Sequence, residues 1–254
     1  MHSIEAGVSL PSLFAGDGQS GWSRGMRGIT RALLAPLILP HGPIVEVGCG
    51  GGDQTLALRE WYPARTVVGA DLHVQALGAA MDRAPGPWLR ADLQQMPLAT
   101  ESVALLVALD SLDQQGVDLP LALAELYRVL QPGGALLLRV SAHPWLEGPH
   151  DQAFNTGRRF TAAGLQQQVR AAGFQLSRLT YANLLLAPPI VLMRLAQRAG
   201  LLPFDANHYA SDAGHEVLAQ TLGLEALWLA RGDLPLGMSL CLVARRGRWE
   251  WVSG

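Results

Sequence analysis

The chain has 254 residues, is 49% hydrophobic and 16% charged, and carries a formal net charge of −2. That supplies ample apolar material for a buried core and gives no electrostatic reason to expect a nucleic-acid partner. All 19 basic residues are arginine, which excludes Schiff-base chemistry, pyridoxal-phosphate anchoring and the Walker A lysine, since each needs an ε-amine.

The opening MHSIEAGVSLPSLF lacks the charged start and continuous apolar run of a signal peptide. Residues 1–21 are rich in Gly and Ser, so 1–25 is expected to form an arm or lid. From Arg24 to about Leu39, Ile29, Leu33, Leu34 and Leu37 recur at helical spacing, and Pro40 ends the run. Ile44–Val47 reads as a strand that stops at the cluster Gly48-Cys49-Gly50-Gly51-Gly52, with Asp53 placed to cap the next helix. Thr66–Ala70 is a second strand, followed by a helix through Val74, Leu77 and Met81, and Trp88–Ala91 is a short third strand. Val103–Leu109 is nearly all apolar, as a central strand covered on both faces should be. Pro120 starts a helix to Leu130, closed by Pro132-Gly133-Gly134, before a fifth strand at Ala135–Val140. Thr161–Ala172 is a helix stopped by Gly173, Phe174–Thr180 a sixth strand, and Met238–Ala244 the last.

This alternation predicts one α/β domain with a doubly wound, mostly parallel, Rossmann-like sheet. Residues 40–140 form its ligand-binding core, and 181–232 an insertion over the carboxyl edge of the sheet. The apolar run Leu184–Met193 is too short to span a bilayer and holds Pro188 and Pro189; it is expected to pack as core. Cys49 and Cys241 lack metal spacing and read as buried thiols in a reducing cytoplasm. His208 and His215 read as loop histidines without a third ligand, so no metal is expected. Arg245, Arg246 and Arg248 read as a solvated tail.

The glycine loop lies where such folds bind ligands, beyond the carboxyl ends of the strands. Its spacing, Gly48-x-Gly50-x-Gly52, departs from the dinucleotide pattern, which needs glycine where this chain has Asp53. Asp71 ends the second strand, where a carboxylate accepts both hydroxyls of a ribose. Asp92 and Leu93 follow the third, offering an acceptor for an adenine amino group beside an apolar contact. Together they suggest an adenosine that carries no phosphate.

With these blocks in place, the chain resembles the class I S-adenosylmethionine-dependent methyltransferases that act on small molecules. Val45–Gly52, Gly69-Ala70-Asp71, Ala91–Pro97 and Leu126–Gly134 carry the resemblance, over roughly residues 44–140. It implies a seven-stranded sheet with the last strand antiparallel, and S-adenosyl-L-methionine as cofactor, leaving S-adenosyl-L-homocysteine. Gly48, Gly50 and Gly52 would cradle the methionine portion, with Glu46 ordering the loop or meeting the ammonium group. Asp71 would hold the ribose, Leu72 would pack on the adenine, and Asp92 with Leu93 would bind the base. Asp110 falls where the family meets the methionine portion or the acceptor. Trp22, Arg24 and Arg27 are expected to fold over the cofactor, an arginine reaching its carboxylate.

On the acceptor side, His150 with Asp151 resembles the base of a subgroup that also carries an Arg-Arg-aromatic triplet, here Arg158-Arg159-Phe160. That subgroup has Glu-His after the fourth strand, where this chain reads Leu112-Asp113-Gln114. The expected partner is a small, partly apolar methyl acceptor entering beneath a lid of 1–25 and 181–232, in a monomer or homodimer. Alternatives at this point are an NAD-dependent oxidoreductase and a non-catalytic nucleoside-binding protein on the same fold.

Overall fold

A computed structural model describes residues 20–202 and 212–247; the expectations for the arm before Ser20, for His208 and for Arg248 lie outside them. Helix α1 (Gly21–Leu34) starts where the Ser20 hydroxyl accepts from the Ser23 N–H at 3.1 Å. It ends five residues short of the expected Leu39. Pro36 has no N–H to continue the ladder, and its ring would meet the carbonyl one turn back. Then strands and helices alternate: β1 (Ile44–Val47), α2 (Asp53–Trp61), β2 (Val67–Asp71), α3 (Val74–Arg83), β3 (Trp88–Arg90), β4 (Val103–Leu109), α4 (Leu119–Val129) and β5 (Leu130–Ser141). After β5 come the short α5 (Pro149–Ala153), α6 (Ala162–Ala171), β6 (Phe174–Ala182), α7 (Ala187–Arg198), α8 (Asp212–Leu229) and β7 (Ser239–Arg246).

The seven strands form one sheet in the order β3-β2-β1-β4-β5-β7-β6. β1 to β6 share one direction, and β7 runs antiparallel between β5 and β6, as expected of the last strand. The order reverses between β1 and β4, which opens a crevice at their carboxyl ends. β5 begins earlier than expected, because Leu130 already pairs with Val103 before a register shift carries the Pro132-Gly133-Gly134 turn past the neighbouring strand.

Side chains alternate across the sheet and fill two cores. Leu106 and Ala108 of β4 join Leu136, Leu138 and Val140 of β5 on the face covered by α4 and α6. Leu105 and Val107 join Leu137, Cys241 and Val243 on the other, under Met26, Ile29 and Leu33 of α1 and Leu222 and Leu229 of α8. On that second face the same alternation aims two charged side chains into the apolar layer, Glu46 from β1 and Arg139 from β5.

Three expectations are corrected. Arg246 is not a tail residue: it stacks 4.6 Å over the Tyr127 ring and donates to the Tyr127 and Leu130 carbonyls at 2.8 and 2.9 Å. The run Leu184–Met193 is core only at its start: Leu184 and Leu186 pack against the second core, while Leu185 and Leu192 stand 51% and 69% exposed and Arg194 is the buried residue of α7. Arg194 claims the inward position because the Leu146 carbonyl, at 2.8 Å, and the Asp151 carboxylate, at 3.5 Å, lie there. His215 lies in α8, not a loop, where its Nδ1 accepts from the Gly21 N–H at 3.3 Å.

Candidate active site

A cavity of about 610 Å³ opens at the carboxyl ends of β1, β2 and β4. Its floor is the glycine loop. Gly48, Gly50 and Gly52 have φ of +76°, +53° and +84°, a region that side-chain-bearing residues enter at a cost of about 1–2 kcal/mol. At Gly52 a Cβ would stand 2.6 Å from the Trp88 ring, and at Gly48 2.6 Å from the Ser111 Cβ. The loop is pinned to β2, with the Gly48 and Cys49 N–H groups donating to the Ala70 carbonyl at 2.8 and 3.0 Å. Gly52 takes the N-cap position of α2, so Asp53 does not cap it as expected; it occupies the first helical turn and pairs with Arg83.

Asp71 reaches the cavity from the end of β2. One carboxylate oxygen accepts from the Gly50 N–H and the other from the His73 N–H, each at 2.9 Å. Each oxygen keeps a second lone pair, so the carboxylate orders the loop and still presents two acceptors. Asp92 accepts from the Gln94 N–H at 2.8 Å, and Leu93 and a half-exposed Leu72 complete that wall.

Glu46 is 3% exposed and takes a hydrogen bond from the Thr55 hydroxyl. Burial pushes its carboxyl up to about 8, against the opposing pull of Thr55 and the Arg139 charge. Cys49 also lines the cavity, and burial raises its thiol far above the usual range.

Asp110, just past β4, has φ of +53° and faces Arg139. The Arg139 Nε lies 3.0 Å from both carboxylate oxygens and Nη2 lies 2.5 Å from one of them. Sequence reasoning missed Arg139, although one arginine in the otherwise apolar Ala135–Val140 run was the available signal. It also missed Thr55, Ser111, Gln114, Gln115, Phe154 and Asn155, whose side chains carry no pattern that separates them from ordinary loop or helix residues.

Of the expected covering residues, Trp22 and Arg27 do line the cavity, joined by Ser23 and Met26. Arg24 points away and pairs with Glu216 of α8 at 2.9 Å. Among the described residues, none from 181–232 borders the cavity; α8 packs against α1, and residues 203–211 of the expected lid lie outside the described ones.

His150 and Asp151 stand behind the cavity wall, and neither lines it. Asp151 accepts from the Gly148 N–H at 2.8 Å and from the Arg159 Nε at 3.1 Å, with the Arg194 guanidinium 3.5 Å away. His150 stacks on Phe154 at 4.5 Å, and burial together with the Arg194 charge depresses its pKa to about 4. Arg158 donates to the Val117 carbonyl and not to an acid. Asp113, where the subgroup has its Glu-His, is fully buried and accepts from the Ser141 N–H at 2.8 Å. Among the described residues there is no cluster of metal ligands, and no helix is long and apolar enough to cross a membrane.

Residues 45–138 match a family model described as a methyltransferase domain. The chain is 31% identical over 137 residues to a trans-aconitate 2-methyltransferase of Deinococcus radiodurans, a match covering 53% of this chain and 48% of the relative. It is 35% identical over 109 residues to a ubiquinone/menaquinone biosynthesis C-methyltransferase of Syntrophotalea carbinolica, covering 41% and 45%. The chain thus spans about half the length of these curated relatives. An S-adenosylmethionine-dependent methyltransferase from Mesorhizobium loti shares the fold, with a TM-score of 0.55 and 21% identity over 86% of this chain and 98% of that one.

Proposed function

We propose that this chain, which belongs to the class I S-adenosylmethionine-dependent methyltransferases, methylates a small, neutral and partly apolar molecule. One observation carries this reading: Asp71 and Asp92 line one cavity with a loop whose three positive-φ glycines include two, Gly48 and Gly52, that leave no room for a Cβ. That cradle fits a nucleoside, since a carboxylate at each of two neighbouring strand ends receives hydroxyl and amino donors. It fits a pyrophosphate poorly, because the lining carries Asp53, Asp71, Asp92 and Asp110, and carboxylates repel phosphate. This weighs against the oxidoreductase alternative.

When bound, S-adenosylmethionine supplies a methyl group already activated on a sulfonium. The protein's task is then alignment and exclusion of water. Gly48, Gly50 and Gly52 let the backbone approach the cofactor, Asp71 fixes the ribose, and Asp92, Leu93 and Leu72 hold the base. Trp22 and Met26 of α1 cover the cavity from one side, and Phe154 and Asn155 from another.

The acceptor wall supports a neutral substrate. It offers Gln114, Gln115 and Asn155 as hydrogen-bonding groups beside Val117 and Phe154. The described lining cations are Arg27 and Arg139, and Arg139 is engaged by Asp110. A tricarboxylate, the substrate named for the Deinococcus radiodurans relative, needs more positive charge than that. A quinol ring, of the kind the Syntrophotalea carbinolica relative's name implies, suits the wall better. We assign His150 and Asp151 to bracing the segment that carries Phe154, and no base is required where the nucleophile is an electron-rich carbon or an amine. The buried thiols Cys49 and Cys241 fit a reducing compartment such as the cytoplasm.

The test is transfer of label from methyl-labelled S-adenosylmethionine to a panel of quinols, phenols, amines and tricarboxylates. Label moving to a neutral acceptor supports the reading; label moving to tricarboxylates alone contradicts it.

A further inference from the structure

Helix α8 carries more apolar surface than its seat in the fold uses. From Val217 to Leu229 its one charged residue is Glu225, which is buried and accepts from the Asn183 and Leu185 N–H groups at 2.6 and 2.7 Å. Leu222 and Leu229 face inward with the second core. There α1 comes so close that a Cβ at Gly25 would stand 2.4 Å from the Leu222 Cβ. A helix that is apolar around its whole circumference belongs between two packed surfaces, and α1 with the sheet supplies one of them.

The outer side is a regular stripe. Val217, Gln220, Leu224, Leu227 and Arg231 follow one another at alternating spacings of three and four, with Trp228 beside them. Such spacing keeps a narrow seam in line along a helix, as in a coiled coil. At about 3.6 residues per turn, the seam lies on the opposite side of α8 from Leu222 and Ala226, which meet α1. Val217, Leu224, Leu227 and Trp228 stand 63%, 62%, 60% and 61% exposed, and among the described residues nothing packs over them. Single exposed leucines are ordinary, whereas a continuous uncharged seam of them marks an interaction surface.

The ends of the seam identify what covers it. Glu216 precedes it and Arg231 closes it, the guanidinium 3.2 Å from the Leu227 carbonyl, with no exposed charge between. A second α8 laid antiparallel brings Glu216 of each copy to Arg231 of the other and the apolar middle onto itself, because both charges are equally far from the Gly223-Leu224 midpoint. Gly223 has open space where a Cβ would stand, so it adds no bulk at the crossing point. Closed twofold pairing of this kind is the commonest arrangement of soluble oligomers. Leu185 flanks α8 beside Glu225 and is half exposed. With it, two copies withdraw on the order of 1,000 Å² from water, the size of a reversible interface. A lipid surface is a poorer match: adsorption draws on clustered basic residues, and this stripe ends in one acid and one base on a chain of net charge −2.

We propose that the outer face of α8 is a homodimer seam, in which Val217, Leu224, Leu227 and Trp228 pack against a second copy laid antiparallel and Glu216 meets the partner's Arg231. None of these residues lines the cavity, so each protomer keeps its own site.

Sedimentation velocity on the full chain, across micromolar concentrations, provides the test. The wild type is expected to dimerise reversibly. Leu224→Glu buries a charge from each copy at the centre of the seam and weakens association by about 100-fold or more, while its circular dichroism spectrum stays that of the wild type. Glu216→Arg and Arg231→Glu each bring like charges together and weaken the homodimer about 3- to 10-fold. Mixing these two variants restores association, because each supplies the charge the other now lacks; variants that merely lost stability would not recover on mixing. The mixing experiment stands whether or not Leu224→Glu folds. A wild type that is monomeric throughout overturns the assignment, whether the stripe then proves to bind phosphatidylglycerol vesicles, another segment of the chain or nothing. A dimer that Leu224→Glu leaves intact, or charge variants that fail to recover on mixing, overturns it as well.

Discussion

Replacing Asp151 with asparagine separates a bracing role from a catalytic one. The carboxylate is 3% exposed, its partner Arg159 is 4% exposed, and the Arg194 guanidinium lies 3.5 Å away. Asparagine keeps the size of the side chain but takes the negative charge from the buried Arg159 guanidinium and from beside Arg194. Removing one partner of a buried ion pair costs about 3–5 kcal/mol, and in a chain of this size each kcal/mol lowers the melting temperature by about 2–4 °C. A fall of roughly 10 °C is therefore expected, read by thermal and urea unfolding. Below the transition, affinity for S-adenosylhomocysteine should match the wild type, because Asp151 does not line the cavity. A variant with wild-type stability whose turnover collapses would refute this reasoning and restore Asp151 to the chemistry.

Four further substitutions probe the site. Glu46→Gln mimics a protonated carboxyl, so cofactor affinity at pH 7 should change by less than about threefold, where loss of an ionic contact would cost about tenfold or more. Because burial raises Glu46 from the usual range to about 8, the folded state binds more protons than the unfolded one between those values; wild-type stability should therefore decline relative to Glu46→Gln as pH rises from about 5 to 8, which melting curves across that range will show. Gly52→Ala forces a side chain into a positive φ and against the Trp88 ring, and should lose about 1–2 kcal/mol of stability and most S-adenosylhomocysteine binding by calorimetry. Arg24→Ala, which breaks an exposed pair with Glu216, should shift stability by less than about 1 kcal/mol and leave binding unchanged, whereas Trp22→Ala should weaken it.

The sheet and its glycine loop were legible because local chemistry and fold agree there. Val103–Leu109 is apolar on both faces because helices cover both, and the spacing of Gly48, Gly50 and Gly52 reports positive φ directly. Asp71 and Asp92 could be placed at the cavity because each follows a strand whose carboxyl end opens there. Arg139 was hidden since its role depends on the register that brings it opposite Leu109 and beside Asp110. The acceptor side was misread for a related reason: His150 and Asp151 are adjacent in the chain, but their direction is set by Arg159 and Arg194, the second of which is 43 residues away in sequence and brought close only by packing. The α7 leucines were expected inside because hydrophobicity was counted without the buried carbonyl that Arg194 answers, that of Leu146 at 2.8 Å.

The most direct test of the central claim is calorimetric titration of the purified chain with S-adenosylhomocysteine and, separately, with NAD, on the wild type and on Asp71→Ala. The expected result is micromolar binding of S-adenosylhomocysteine, no binding of NAD, and loss of the former in a variant that remains folded by circular dichroism. Binding of NAD, or of neither ligand, would contradict the claim that this cavity holds the cofactor of a methyltransferase.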